Sequence, residues 1–469
     1  MSEVIKALEA IVGQEDVVLE TSVRAQKAVD LYALRLYQKH VGWEATLPQA
    51  VVRPKDTDEV SKVLQLCNER GVPVIPYGGG SGVLAGAETR DERTVVIDLA
   101  RINRLINVDE ISLQVTCGAG MLIRDLEAIV QERGFKLGHY PQSMDLAQMG
   151  GLVATRSTGQ FSTGYGAIED FLVGLEAVLA DGTVVRINNV PRRATGPDLR
   201  HLFLGSEGAF AVITEVTVKM FPIPETTWKH AYRVKTMRQG LEIIRLVMRT
   251  GIKPAVVRLH DWLECEKPYG AFMEENESLL LFWSEGRKEI AEAEGAIIDE
   301  IAKANGAVSA GEKPLDLWYV HRNDAADEYE KYGANGILVD TLEVAADWNV
   351  IADIYEKTVE RVYYEVPEVV FFSGHSSHSY INGTNIYFQL GAFPPPDVDE
   401  AQRVYEAVWG IVVEVALEHG GSMGHHHGVG KHRVRWMEKE HGSSYALMES
   451  LKRVFDPNGI MNPGSLIEL

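Results

Sequence analysis

One stretch constrains the fold more than any other: Gln49 to Gly80, QAVVRPKDTDEVSKVLQLCNERGVPVIPYGGG. The β-branched run VVR predicts a strand. TDEVSKVLQLCNERG has a capping-type start at Thr57 or Asp58 and a glycine stop at Gly71, which predicts a helix between them. VPVIP follows as a buried-type strand and runs straight into glycines. A strand that ends in such a turn can aim backbone N–H groups into an anion-binding concavity. Residues 76–86, PYGGGSGVLAG, are not a Walker loop, because no Gly-Lys-Ser/Thr follows. They also lack the spacing, helix and acidic residue of a dinucleotide fingerprint. Alone, the turn is as readily structural as phosphate-binding.

Short strands and helices continue beyond it. LVGLEAVLADGTVVRI predicts a hairpin turning at Asp181–Gly182, and PDLRHLFLG predicts a helix before the strand AVITEVTVKM. Residues 1–45 have helical apolar spacing. At Pro222–Pro224 the texture changes to longer amphipathic helices, such as RKEIAEAEGAIIDEIAKANG, and strands such as SLLLFW and TNIYFQLGAF. The division expected is a helical segment at 1–45, a first domain at 46–225, a second at 226–420, and a segment at 421–469 that returns to the first. The class is α+β.

Net charge −21 argues against nonspecific nucleic-acid binding and against an anionic membrane surface. Cys67, Cys117 and Cys265 stand apart from one another, which suggests a reducing compartment and no disulfide framework. The first residues show no secretory pattern and no long apolar run, so a cytoplasmic protein is expected.

Residues 420–433, GGSMGHHHGVGKHR, set three histidines among glycines. An internal position argues against a purification tag. A His-rich surface loop, a metal site and an active site all remain open. Isolated cysteines argue against structural zinc, and no metal is expected. In an active site, imidazoles move protons near neutral pH and glycines let backbone approach a ligand.

Two further loop-rich stretches accompany the first: PQSMDLAQMGGLVATRSTGQFSTGYGAIEDFL at 141–172 and GPDLRHLFLGSEGAFAVITEVTVKMFPIPE at 196–225. The three in this order resemble the FAD-binding domain of vanillyl-alcohol oxidase type flavoproteins, the FAD-linked oxidase type 4 family. Within that family the chain is similar to the alkyldihydroxyacetonephosphate synthase group. The likeness runs through PYGGGSG, GLVATRSTG, YGAIED, TGPDLRHLFLGSEGAFAVITEVTVK, YVHRNDAADEYE, SHSYINGTNIYF, GGSMGHHHGVGKHR and FDPNGIMNPGSL.

The resemblance implies an FAD-binding domain, a cap domain and an FAD site on three segments. The first is Pro76, Tyr77, Gly78, Gly79, Gly80, Ser81 and Gly82. The second is Gln142, Ser143, Met144, Asp145, Leu146, Ala147 and Gln148, with Thr155, Arg156, Ser157 and Thr158. The third is Glu207, Gly208, Ala209, Phe210, Ala211, Val212 and Ile213. The first loop carries no His, where some family members link the flavin covalently, so FAD is expected to be noncovalent. Tyr387 matches the group's proton donor and acceptor, and His425, His426 and His427 its active-site run. Arg258 matches an arginine needed for activity and Arg322 a substrate-binding one; His378 is also placed at the substrate. Without the resemblance, Arg258 and Arg322 read as ordinary cations, Tyr387 as a core aromatic and His378 as a turn residue.

The implied reaction exchanges the acyl group of acyl-dihydroxyacetone phosphate for a fatty alcohol through a flavin N5 adduct, with no net redox change. The alternative is a 2-hydroxyacid dehydrogenase or oxidase of D-lactate or glycolate type. Many of those carry GDGNxH and an acidic residue where this chain has YINGTNIY and His426. The substrate expected is a small anion, phosphate or carboxylate, with a lipid among the candidates. Peripheral membrane contact and a homodimer are further expectations. The long N-terminal extension of animal synthases is not seen, in keeping with the cytoplasmic reading.

Overall fold

The computed structural model describes residues 3–188, 190–324 and 329–467. The opening unit forms as its residues dictate. Strand Ala50–Val52, helix Thr57–Arg70 and strand Val74–Tyr77 follow in order, and both strands run parallel to Val95–Asp98, which lies between them. Asp56, rather than Thr57 or Asp58, caps the helix by accepting from Glu59 N. Gly71 ends it in the left-handed conformation. Val60, Val63, Leu64 and Cys67 form its buried stripe. The N-terminal stretch read as helical has helices Glu3–Val12, Thr21–Gln26 and Ala33–Gln38, but Val17–Val18 joins this sheet antiparallel to Val51–Val52.

A five-stranded antiparallel sheet follows, ordered Leu105–Asp109, Gln114–Gly118, Ala211–Lys219, Leu172–Leu179, Val184–Ile187. The Asp181–Gly182 hairpin is present, with Gly182 at φ 85°. The helix expected in PDLRHLFLG is only a 3-10 turn, Leu199–Leu202: Asp198 caps it, and Gly205 at φ 74° turns the chain away.

Residues beyond Pro224 build a seven-stranded antiparallel sheet, ordered Val308–Gly311, Thr226–Val234, Ser278–Gly286, Val256–His260, Val369–Ser376, Gly383–Ala392, Leu338–Asp347. Helices Met237–Met248, Lys288–Ala304, Ile351–Glu365 and Val398–Glu418 pack against it. Strand period sorts the two faces. Leu259, Phe372, Ile386, Phe388, Leu342 and Val344 enter the core shared with the helices. The residues between them, His260, Ser373, Tyr387 and Glu343, therefore face the other way.

The C-terminal segment ties the sheets together. Ser422 pairs with Ala345 of the seven-stranded sheet, and Met461 bridges Val74, the strand that leads into the first glycine turn. The histidine run lies between these anchors. No helix among the described residues is long and apolar enough to cross a membrane.

Candidate active site

The first two glycine-rich segments touch. A Cβ on Gly79 would collide with Leu146 O, so only glycine lets the turn close on the second segment. Gln148 precedes the helix Met149–Ala154 as its N-cap residue. Its Oε1 is buried without a hydrogen-bond partner among the described residues, and a Cβ on Gly78 would sit 3.5 Å from it. A cradle without side chains beside an orphaned buried amide oxygen fits a polar ligand such as the FAD expected here. Ser157 and Thr158 are buried, and Ser157 Oγ lies 2.9 Å from His139 Nε2. Thr155 Oγ1 donates to Gly151 O, and Arg156 pairs with Glu169. Gln142, Asp145 and Leu146 are exposed, Asp145 pairing with Arg124. Ser143 O accepts the turn bonds of Leu146 and Ala147, and Met144 packs at the edge of a core.

The third segment divides its work. Gly208 turns at φ 73° against the Pro76 ring, and Ala209, Phe210, Ala211, Val212 and Ile213 are buried core. Glu207 instead sends its carboxylate to the histidine loop, accepting from Val429 N at 2.6 Å and Gly430 N at 2.7 Å. Burial pushes that carboxyl up, against these donors.

The seven-stranded sheet lines up candidate residues on one rung. His260 pairs with His375, His375 with Tyr387, and Tyr387 with Glu343, across four neighbouring strands. Directly opposed residues share a face, so these side chains stand in a row. The Tyr387 ring stacks on His375 at 4.7 Å and meets His426 at 5.8 Å and His427 at 5.4 Å. At the far end, Arg258 donates from Nε to His260 Nε2 and from Nη2 to His375 Nε2, both at 3.1 Å, and lies over Trp318.

Glu343 explains the support beneath the histidines. Its Oε1 accepts the backbone N–H of His425, His426 and His427 at 3.1, 3.1 and 2.8 Å. Arg433 donates to both of its oxygens, and both side chains are fully buried. Burial opposes ionisation of Glu343, but Arg433 outweighs it and holds the carboxyl well below the usual range. Three successive N–H groups converging on one oxygen leave the three imidazoles free to point elsewhere. Glycine is required just beyond, where Gly430 sits at φ 56° and a Cβ would collide with Leu84 O.

The imidazoles form a cluster with His378. The His378 ring lies 4.9 Å from His425 and 5.0 Å from His426, and its Nδ1 is 2.6 Å from Ser162 Oγ, which comes from the second loop-rich stretch. His425 Nε2 meets Tyr380 Oη at 2.7 Å, and its Nδ1 is 2.9 Å from His426 Nδ1. Burial pushes His425 down to about 4, lowers His427, and holds His378 and His426 well below the ordinary histidine value. Near neutral pH this is a set of neutral rings, each able to donate at one nitrogen and accept at the other.

Tyr387, His425, His426, His427, His378 and Arg258 thus share one region. Arg322 stands at the C-cap of helix Lys313–His321, its guanidinium 3.9 Å from the Tyr319 ring centroid and its Nε buried without a hydrogen-bond partner among the described residues. That helix also carries Trp318, beneath Arg258, and Gln160 Nε2 donates to Arg322 O. Residues 325–328 of the YVHRNDAADEYE stretch lie outside the described residues. No local sequence pattern singles out His260, Glu264, His375, Glu343 or Arg433 as site residues. Arg433 stood in the quoted GKHR, and a lone Glu between Leu342 and Val344 is a buried-charge signal that calls for a partner.

Family models match this chain over two spans: an FAD binding domain at residues 48–188, and the C-terminal domain of FAD linked oxidases at residues 224–466. It is 41% identical over 474 residues to the "Uncharacterized FAD-linked oxidoreductase YgcU" of Escherichia coli (strain K12), covering 99% of this chain and 98% of that protein. An alkyldihydroxyacetonephosphate synthase of Dictyostelium discoideum is 27% identical, covering 92% and 75% of the two chains. The glycolate oxidase subunit GlcD of Bacillus subtilis (strain 168) is 28% identical, covering 90% and 89%. A solved alkyldihydroxyacetonephosphate synthase superposes with TM-score 0.84 at 22% identity, over 99% of this chain and 86% of that one, a likeness of fold. The expected architecture, a vanillyl-alcohol oxidase type FAD-binding domain with a C-terminal domain, is the one present. The chain belongs to the FAD-linked oxidases, and FAD is its cofactor.

Proposed function

We propose that this flavoenzyme takes a small anionic substrate with an apolar substituent and exchanges its acyl group, as acyl-dihydroxyacetone phosphate, for a fatty alcohol. The observation that carries this reading is Tyr387 on the rung, set against neutral imidazoles with the Arg258 guanidinium beyond His375. Bound FAD supplies an electron-accepting ring. Tyr387 Oη takes the proton from substrate C1, and His426 and His427 pass protons to and from it. The carboxylate of the fatty acid departs, the alcohol oxygen bonds to C1, Tyr387 returns the proton to C1, and the alcohol's proton leaves with the fatty acid, so atoms and electrons balance without an acceptor. Arg258 and Arg322 hold the phosphate through charge-assisted bonds. Aromatic contacts supporting an apolar tail run outward from Arg258: Trp318 to Phe161 at 6.4 Å, Phe161 to Trp283 at 5.9 Å, and Trp283 to the exposed Tyr319 at 5.3 Å.

Oxidation of a 2-hydroxyacid is the second reading. It is favoured by the relatives named as oxidoreductase and glycolate oxidase subunit, and by a buried arginine that suits a carboxylate equally well. One experiment separates the two. Holoenzyme is mixed anaerobically with palmitoyl-dihydroxyacetone phosphate and hexadecanol, or with D-lactate or glycolate, and followed by mass spectrometry and flavin absorbance. Acyl-for-alkyl exchange without an electron acceptor is expected; flavin bleaching by a hydroxyacid, with no exchange, would establish the second reading instead.

A further inference from the structure

We infer that Glu264 is a positioning residue: it fixes the tautomers of His260 and His375 so that their Nε2 atoms hold the Arg258 guanidinium toward the substrate anion. The inference deepens the proposed function and rests on its anion-binding role for Arg258. A guanidinium has only donors. Arg258 donates to Nε2 of both rings at 3.1 Å, so both Nε2 atoms are unprotonated. A neutral ring then carries its proton on Nδ1. Both Nδ1 atoms face one carboxylate: His260 Nδ1 lies 3.0 Å from Glu264 Oε1, and His375 Nδ1 lies 2.9 Å from Oε2. Gln389 Nε2 adds a third donor at 3.0 Å.

The ring of contacts closes: Arg258, two imidazoles, Glu264. Its ends carry opposite charges, so the buried unit is neutral overall, as a low-dielectric site requires. Geometry follows from sequence. Glu264 sits one turn after His260, in a helix whose N-cap, Asp261, accepts from Glu264 N at 3.1 Å. His375 is brought opposite His260 by strand pairing across 115 residues of chain. With Nε and one Nη2 hydrogen committed to the rings, the remaining N–H groups of Arg258 are left for a ligand. The same three residues stand close enough to hold a divalent ion. An ion on the Nδ1 atoms would move both protons to Nε2, against the donors of Arg258.

The test uses holoenzyme labelled with 15N-histidine. Long-range 1H–15N spectra report which ring nitrogen is protonated, and His260→Gln and His375→Gln assign the signals. Both rings are expected to be protonated at Nδ1 near pH 7, and at least one is expected to shift toward Nε2–H in Glu264→Gln. Bare Nδ1 atoms in the wild type, unchanged tautomers in the variant, or zinc that copurifies and is lost with Glu264→Gln would overturn the inference. The second arm titrates inorganic phosphate and glycolate by flavin absorbance. Glu264→Gln removes a negative charge, so electrostatics alone would tighten anion binding; positioning predicts weakening on the order of tenfold. An unchanged or tighter Kd overturns the role assigned to Glu264. Wild-type enzyme that binds neither probe, with the expected tautomers, overturns the anion reading of Arg258 while leaving the tautomer result intact. Should Glu264→Gln fail to hold FAD, the wild-type tautomers decide.

Discussion

Removing one hydroxyl, in Tyr387→Phe, leaves the ring stacking on His375 available and the strand pairing with Glu343 untouched. Folding and FAD content should therefore change little. If Tyr387 moves the substrate proton, kcat falls by on the order of 10²–10⁴, with a far smaller change in substrate binding. Arg322→Lys should divide the other way: the charge persists but the guanidinium fork is lost, so KM rises more than kcat falls. Steady-state kinetics on both variants checks the pair of expectations. Full activity in Tyr387→Phe would remove the tyrosine from the mechanism.

The histidine loop is an element whose protonation opposes its own packing. Burial lowers His425 to about 4 from an ordinary 6.5, so the unfolded chain binds the extra proton first as pH falls. The resulting loss of stability begins below about 6.5 and levels off near 4. Asp30, raised to about 7, and Asp340, raised to about 6, give the opposite slope, but equally in wild type and variant. His425→Gln should therefore lose less stability than wild type between pH 6.5 and 4, by about 3 kcal/mol. Thermal unfolding of both proteins across that range measures the difference, and parallel curves would contradict the assignment. Elements of this kind were only partly legible in the sequence. Local rules found the helix 57–70, the 181–182 hairpin and the strand holding Tyr387, because caps, turns and period two act over a few residues. They extended residues 197–204 into a helix that Gly205 cuts short. They could not find the rung, since His260, His375, Tyr387 and Glu343 meet only through pairing of strands far apart in the chain. Nor could they tell that the three histidines hang from Glu343, or that burial keeps their rings neutral.

At the scale of the whole molecule, two bodies of structure meet at one loop. The glycine cradle belongs to the N-terminal sheets, the rung belongs to the seven-stranded sheet, and residues 425–430 are held by Glu343 from one side and Glu207 from the other. This double anchoring would set neutral imidazoles and Tyr387 against a flavin held, as the resemblance implies, on the first two glycine segments. The third segment contributes the Glu207 clamp and core packing beside them. A crystal structure of the holoenzyme tests the account most directly. It should show FAD with no covalent bond to any side chain, its ring system in van der Waals reach, about 4 Å, of the Tyr387 and His426 side chains. A ring separated from that rung by more than a side-chain length, or a flavin bonded to the protein, would contradict it.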